Sequence, residues 1–244
     1  MLNIAIQIVN YNTKKYLINC INGVLNDLKN SNLSYEILVL DNASQDNLKD
    51  LEENYQSKKV KFFYTDKNKG FGAGHNLLAQ KSKSDYILIL NPDIKFIEKN
   101  TTERLLNGLR ENTKYKVSGP KLITAEKQSQ PWDHGEITGL WAWFMSKTGR
   151  SFWKERNNLT KSTWVAGTFF LIERNIFEKI NGFDEKFFLY KEEEDLCLRI
   201  RKLGFDIIYN PKIKVLHYGS VVASKGKFMQ KSNRYFIDKH LQAP

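Results

Sequence analysis

A chain of 244 residues with 41% hydrophobic side chains, five prolines and no glycine- or serine-rich linker holds enough apolar material for one large α/β domain and offers no place to divide it. Its 38 basic and 27 acidic residues leave a net charge of +11, which attracts nucleic acid, anionic lipid or phosphorylated substrates alike. The basic residues are scattered, with no helix-turn-helix, zinc-finger or RNP-type pattern among them, so no nucleic-acid partner is expected.

Ile4 to Val9 reads as a strand with no basic leader before it. Thr13 is placed to cap a helix whose apolar positions Leu17, Ile21, Val24/Leu25 and Leu28 recur at helical spacing. Glu36 to Leu40 is a second buried strand, and Leu48, Leu51 and Tyr55 mark a second helix. Val60 to Tyr64 is a third strand, and a short helix from Leu77 leads into Tyr86 to Leu90. Right-handed crossovers turn this β-α-β-α-β-α-β series into a mostly parallel sheet with helices on both faces. Cys20 and Cys197 fall inside helical patterns far apart, as expected of buried thiols in a reducing compartment. No apolar stretch approaches the roughly 20 residues that cross a bilayer. A cytoplasmic location follows as an expectation.

Three of these strands deliver polar clusters to one edge of the sheet: Asn10-Tyr11-Asn12, Asp41-Asn42 and Asn91-Pro92-Asp93. Pro92 cannot donate to a ladder, so Asp93 emerges where the fourth strand stops. The C-terminal edge of an open α/β sheet is where ligands bind. Gly70-Phe-Gly-Ala-Gly74-His75-Asn76 is glycine-rich, but it does not follow the first strand, so it is not a dinucleotide fingerprint. Its glycines still permit close backbone approach to a phosphate or sugar.

In the second half, Leu196, Ile200 and Leu203 share a helical face, Gly204 stands as the C-terminal cap, and Glu192-Glu193-Glu194-Asp195 fill the first turn. By themselves these acids read first as a solvated helix start, where the helix dipole favours negative charge. All five tryptophans lie between Trp132 and Trp164, and they suit an acceptor surface, a core or a contact between copies. The tail from Ser224 to His240 interleaves lysine and arginine with aromatics, a composition that suits docking on anionic lipid.

With these pieces in order, the chain resembles the family 2 glycosyltransferases of the GT-A fold, particularly the bacterial rhamnosyltransferase-like branch. The resemblance runs from about position 3 to 240. It is carried by Val9-Asn10-Tyr11-Asn12, Val39-Leu-Asp41-Asn42-Ala-Ser44, Asn68-Lys-Gly70-Phe-Gly-Ala-Gly74-His-Asn76, Leu90-Asn91-Pro92-Asp93, Gly182-Phe-Asp184-Glu185 with the acidic helix, and Val215-Leu-His217-Tyr-Gly-Ser220.

The resemblance implies a single domain in three parts: a nucleotide-sugar-binding half to residue 95, an acceptor and catalytic half over 96–222, and a basic aromatic tail over 223–244. It implies an inverting transferase that uses Mn²⁺ or Mg²⁺ and a UDP- or dTDP-linked donor, possessing a surface-polysaccharide or lipid-linked glycan acceptor and a peripheral contact with anionic membrane. A soluble or protein acceptor, or an inert nucleotide- or sugar-binding protein, is the alternative. By residue, Asn10, Tyr11, Asp41, Asn42, Gly70, Asn76, Asn91 and Asp93 are implied for the donor, and Asp93 with His217 for the metal. Trp141, Trp164 and Asp195 are implied for the acceptor. Counting back from Arg199 puts the catalytic base at Glu193, with Glu192 the neighbouring alternative because glutamate replaces the family's aspartate there.

Overall fold

The computed structural model describes residues 3–55, 59–137, 151–219 and 226–241. The first half follows the expected alternation: β1 (Ile4–Asn10), α1 (Lys14–Asp27), β2 (Tyr35–Asp41), α2 (Lys49–Tyr55), β3 (Val60–Tyr64), α3 (Phe71–Ala79) and β4 (Tyr86–Leu90). The strands are apolar on both faces because helices cover both; Ile4, Ile6, Ile8, Ile37, Val39 and Ile87 to Leu90 are all buried. Thr13 does begin α1, but its hydroxyl donates to Asn10 Oδ1 at 2.6 Å instead of capping the helix.

The second half adds β5 (Ile94–Phe96), α4 (Thr101–Arg110), β6 (Tyr115–Ile123), β7 (His134–Gly135), β8 (Thr160–Ser162), β9 (Trp164–Val165), β10 (Phe169–Glu173), α5 (Arg174–Lys179), α6 (Glu192–Lys202), β11 (Asp206–His217) and α7 (Gly226–His240). Among the described residues the main sheet has nine strands in the order β3-β2-β1-β4-β10-β6-β11-β5, with β8 beside β11. β3, β2, β1 and β4 are mutually parallel, as are β6 and β11, while β10, β5 and β8 run against their neighbours. The result is the mixed, mostly parallel α/β sheet of a GT-A fold.

Chain order reverses between β1 and β4: β1 leads through α1 to β2 on one side, and β3 returns through α3 to β4 on the other. At such a switch point the connections part and a crevice opens outside the strand ends. The pairing Ile8↔Leu90 brings the segments after β1 and β4 side by side at its floor.

α3 starts at Phe71, well before the expected Leu77, although two glycines weaken its first turns. Tertiary packing decides the matter. A Cβ on Gly72 would stand 2.8 Å from Phe183 Cβ, and one on Gly74 3.0 Å from Val9 Cγ1, so the helix lies closer to its neighbours than any other residue permits. Gly70 has φ +87°, and a Cβ there would strike the Phe188 carbonyl, which accepts from Phe71 N at 3.0 Å. Within the fold, Gly70 and Gly72 thus lie against the 183–188 segment and Gly74 against β1 and β2.

α6 buries Leu196, Cys197 and Ile200, but Leu203 lies past its last turn and is 42% exposed, because the helix ends at Lys202. Gly204, at φ +84°, reverses the chain there as expected. Cys20 and Cys197 are buried free thiols, pushed up by burial.

α7 closes over α6 with much of its basic and aromatic character turned inward. Phe236 is buried, Tyr235 packs on Phe187, and Ser232 Oγ donates to Leu189 O at 2.8 Å. Lys239 Nζ lies 2.6 Å from both Asp184 Oδ2 and Asp195 Oδ1, and His240 Nε2 lies 2.7 Å from Asp195 Oδ1. Asp195, expected at the acceptor, is instead fully buried as the fastening between α6 and α7, its other oxygen accepting from Arg199 Nε at 2.8 Å.

Burial pushes the Asp195 carboxyl up, but hydrogen bonds from His240, Lys239 and Arg199 and the Arg199 charge outweigh it and hold the group at about 2. A carboxyl depressed in the folded state stabilises fully above its unfolded value and loses that contribution as pH falls through the folded one, here from about 4 to about 2, worth on the order of 2 kcal/mol. Asp195→Asn should therefore unfold at a lower temperature than the parent near neutral pH, and the gap should close on acidification across that window. Thermal melts of both proteins from pH 6 to pH 2 check this; a gap independent of pH would show that the fastening is not ionic.

Candidate active site

The crevice at the switch point encloses about 920 Å³, a volume suited to a small molecule with a polar head. One end is built by the donor-half loops. Tyr11 leaves β1 with its ring 38% exposed into the crevice, and Asn42, Asn68 and Gly70 form the adjoining wall. Asn42 is saturated: its amide donates to Asn68 Oδ1 (2.9 Å) and Gly70 O (3.2 Å) and accepts from Lys69 N (3.0 Å), so it ties the end of β2 to the 65–70 loop. Asn10 and Asp41 stand behind this wall. Asn10 is fully buried and donates to Asp41 Oδ1 at 3.2 Å and to Ser44 Oγ at 3.0 Å.

Asn76 is not at the crevice. Its amide pairs in both directions with the backbone of Phe183, at 2.9 Å each way, and donates to Glu185. This clasp, with the glycines of α3, draws the 183–188 segment against the donor half and so delivers the start of α6 to the crevice.

Asp93 and His217 meet through strand register. The tight turn Asn91-Pro92-Asp93 leads straight into β5, and Ile94 pairs with His217 at the end of β11. Asp93 Oδ2 accepts from Gly219 N at 3.1 Å and lies 3.3 Å from His217 Nε2; Asn91 lines the crevice beside them. On the ring's other side, Nδ1 is 2.9 Å from Gln130 Oε1. Gln130 Oε1 is an acceptor, so Nδ1–H donates to it and the ring is fixed with Nε2 facing the Asp93 carboxylate. A carboxylate with an oriented imidazole suits Mn²⁺ or Mg²⁺, and the second-neighbour amide that fixes the ring is what such ligands require. The residues present therefore fit a divalent ion. They furnish two ligands, Asn91 being neutral, and among the described residues no three His, Cys, Asp or Glu are placed to hold one metal ion, so the other positions suit a diphosphate and water.

The opposite wall is the first turn of α6. Tyr190 and Lys191 both have φ +72°, left-handed for residues with side chains, a strain that tends to gather at functional sites. The three glutamates that follow have different surroundings. Glu194 is matched on both oxygens, by Lys191 Nζ (2.7 Å) and Ser151 Oγ (2.8 Å). Glu192 is 3% exposed, and its Oε2 has no partner. Glu193 is the one half-open to the crevice, beside Gly167. Burial first, then the Glu194 carboxylate, raise Glu193 to about 7, a value suited to accepting a proton near neutrality.

Trp164 is buried and lines the crevice with its indole flat against Gly135, serving wall and core at once. Trp141 lies outside the described residues. Trp132 is 58% exposed at the crevice mouth, where Phe228 and Met229 of α7 also reach. Gln130, Ser151 and Lys191 escaped the sequence reading. Only Lys191 carried a signal there, as the one cation abutting the acidic run.

A model of the family described as glycosyl transferase family 2 matches residues 5–193. The rhamnosyltransferase WbbL of Escherichia coli is 28% identical over 214 residues, 81% of this chain and 78% of that protein. The N-acetylglucosaminyl-diphospho-decaprenol L-rhamnosyltransferase of Mycobacterium tuberculosis is 25% identical over 207 residues, 75% of this chain and 66% of that one. In fold, a crystal structure of GalNAc-T7 with UDP, GalNAc and Mn²⁺ superposes with a TM-score of 0.72 at 19% identity, covering 97% of this chain and 48% of that one.

Proposed function

Because the chain belongs to glycosyl transferase family 2, we propose that it transfers a sugar, rhamnose foremost, from a UDP- or dTDP-linked donor to a lipid-linked or surface-polysaccharide acceptor with inversion at the anomeric carbon. The observation that carries this reading is the meeting, across one crevice, of the Asp93–His217 pair with the half-open Glu193 carboxylate. The names of the two rhamnosyltransferases support rhamnose, and that of the mycobacterial relative supports a diphospholipid-linked acceptor.

Each side chain then has a task. Tyr11 offers a ring face to the nucleobase, and Asp41, oriented by Asn10, backs the ribose side. Asn91 and Asp93 face the diphosphate. A divalent ion held by Asp93 and His217, when bound, supplies neutralising charge for the diphosphate. Glu193 takes the proton of the acceptor hydroxyl as that oxygen forms its bond to the anomeric carbon and the bond to the diphosphate breaks. Attack comes from the face opposite the leaving group, which inverts the centre. Trp164 and Trp132 shape the acceptor end.

A panel of nucleotide sugars with Mn²⁺ or Mg²⁺, a diphospholipid-linked N-acetylglucosamine acceptor and detection of released nucleoside diphosphate tests the reading. Acceptor-dependent release from one donor supports it, and no release from any donor overturns it. Among the described residues no helix is long and apolar enough to cross a membrane. Contact with the lipid would therefore fall to exposed side chains such as Lys231 and Arg234 on the outer face of α7. Anionic liposomes should retain the protein at low salt and release it as salt rises, while neutral ones should not hold it; equal binding to both would remove the membrane contact from the proposal.

A further inference from the structure

Glu192 puts into the crevice a carboxyl with one oxygen that no group among the described residues engages. It lines the crevice wall, is 3% exposed, and its Oε2 is shielded from water without a hydrogen-bond partner. Among the described residues, the charges around it are committed elsewhere. Lys191 is committed to Glu194, which Ser151 also engages. Asp195, behind, is occupied by Arg199, Lys239 and His240. Glu193 is a second carboxylate alongside, and Tyr190, just before, has its hydroxyl raised by burial and by both glutamates. An ionised Glu192 would be a buried anion beside another anion, with no cation among the described residues to spare.

We propose that Glu192 stands in the crevice as a neutral carboxylic acid and donates a hydrogen bond from its partnerless oxygen to an oxygen of the bound saccharide, so that it selects and orients the sugar presented to Glu193. The direction of its titration agrees: burial, then the Glu193 carboxylate, push it well above the usual carboxylate range. A carboxylic acid kept neutral by an apolar site is an effective donor to a substrate oxygen. The three glutamates thereby divide their work: Glu194 is neutralised by Lys191, Glu193 accepts a proton, and Glu192 gives a hydrogen bond. This inference rests on the transferase reading, and the contacted oxygen belongs either to the donor sugar or to the acceptor.

The test compares Glu192→Leu, which has no donor, with Glu192→Gln, which restores one without charge, using dTDP-rhamnose with Mg²⁺ and the diphospholipid-linked acceptor. Loss of one oriented hydrogen bond to substrate should raise KM about tenfold or more in Glu192→Leu with a smaller change in kcat, and Glu192→Gln should recover most of it. A rise confined to the KM for dTDP-rhamnose assigns the contact to the donor sugar; a rise confined to the acceptor KM assigns it there. Unchanged KM for both in Glu192→Leu, or a Glu192→Gln as impaired as Glu192→Leu, overturns the inference, the latter because it shows that charge is needed. Infrared spectra of the resting protein at pH 7 give a readout independent of turnover. A protonated-carboxyl band stronger in the parent than in Glu192→Gln is expected, since Glu193 contributes to both, and equal bands overturn the neutral acid whatever the activity. Such a difference in a protein that turns over no donor supports the neutral acid and removes the transferase reading instead.

Discussion

Glu193→Gln should lower turnover by about 10²- to 10⁴-fold, the usual contribution of a positioned general base, while nucleoside diphosphate still binds with Mn²⁺ near the parental affinity. The amide keeps the shape of the side chain and cannot take the acceptor's proton. Glu192→Gln should cost less than about tenfold, since it exchanges one neutral hydrogen-bond donor for another. The parent's pH profile gives the same assignment from another side. A base raised to about 7 is protonated and idle below that value, so kcat/KM should climb with pH and level off above it. The sign for stability is the opposite. A carboxyl raised in the folded state binds its proton more tightly there than in the unfolded chain, so its contribution weakens as pH rises from the ordinary glutamate range toward 7. Rates of the two variants on one donor and one acceptor decide between the neighbours. A dead Glu192→Gln beside an active Glu193→Gln would move the base by one residue, and activity in both would reduce the acidic turn to a helix start.

The strands were legible because each is a short apolar run that ends in polar residues, and the parallel half of the sheet follows from their alternation with helical patterns. Tyr86 to Leu90 was readable to the residue. What failed were readings that depended on contacts distant in sequence. The glycines of 70–74 signalled close approach, but that Gly70 and Gly72 meet the Phe188 and Phe183 segments was not readable, because those segments lie more than a hundred residues away. Asn76 and Asp195 carry donor and acceptor groups like any binding residue, and only the fold shows that a backbone clasp has already taken the one and Arg199, Lys239 and His240 the other. The acidic turn was visible as a run of charge. Its division into a matched, an open and an orphaned carboxyl was not, since that depends on Ser151, on Gly167 and on the unusual backbone that turns Lys191 toward Glu194. Asp93 was legible from Pro92, which ends the strand. Its meeting with His217 required the antiparallel register of β5 and β11, which no local pattern encodes.

Asp93→Ala should abolish cation-dependent binding of the nucleoside diphosphate, because it removes the only charged ligand that the protein brings to the pair. Asn91 is neutral, and His217 alone leaves an imidazole facing an uncompensated diphosphate. Groups that merely orient a metal ligand cost 10- to 100-fold in affinity when lost, so a ligand itself should cost about 100-fold or more. His217→Ala should weaken binding less, since Asp93 keeps its charge and its hydrogen bond from Gly219. Gln130→Ala, which frees Nδ1 and lets the ring turn, should cost about tenfold through His217 alone. Combining Gln130→Ala with His217→Ala should then add nothing to His217→Ala, because the amide acts only on that ring. Calorimetry of UDP and dTDP with and without Mn²⁺ reads all four variants without any need for turnover. Unchanged cation-dependent affinity in Asp93→Ala would sink the metal assignment, and additive losses for Gln130 and His217 would give Gln130 a contact of its own with the ligand.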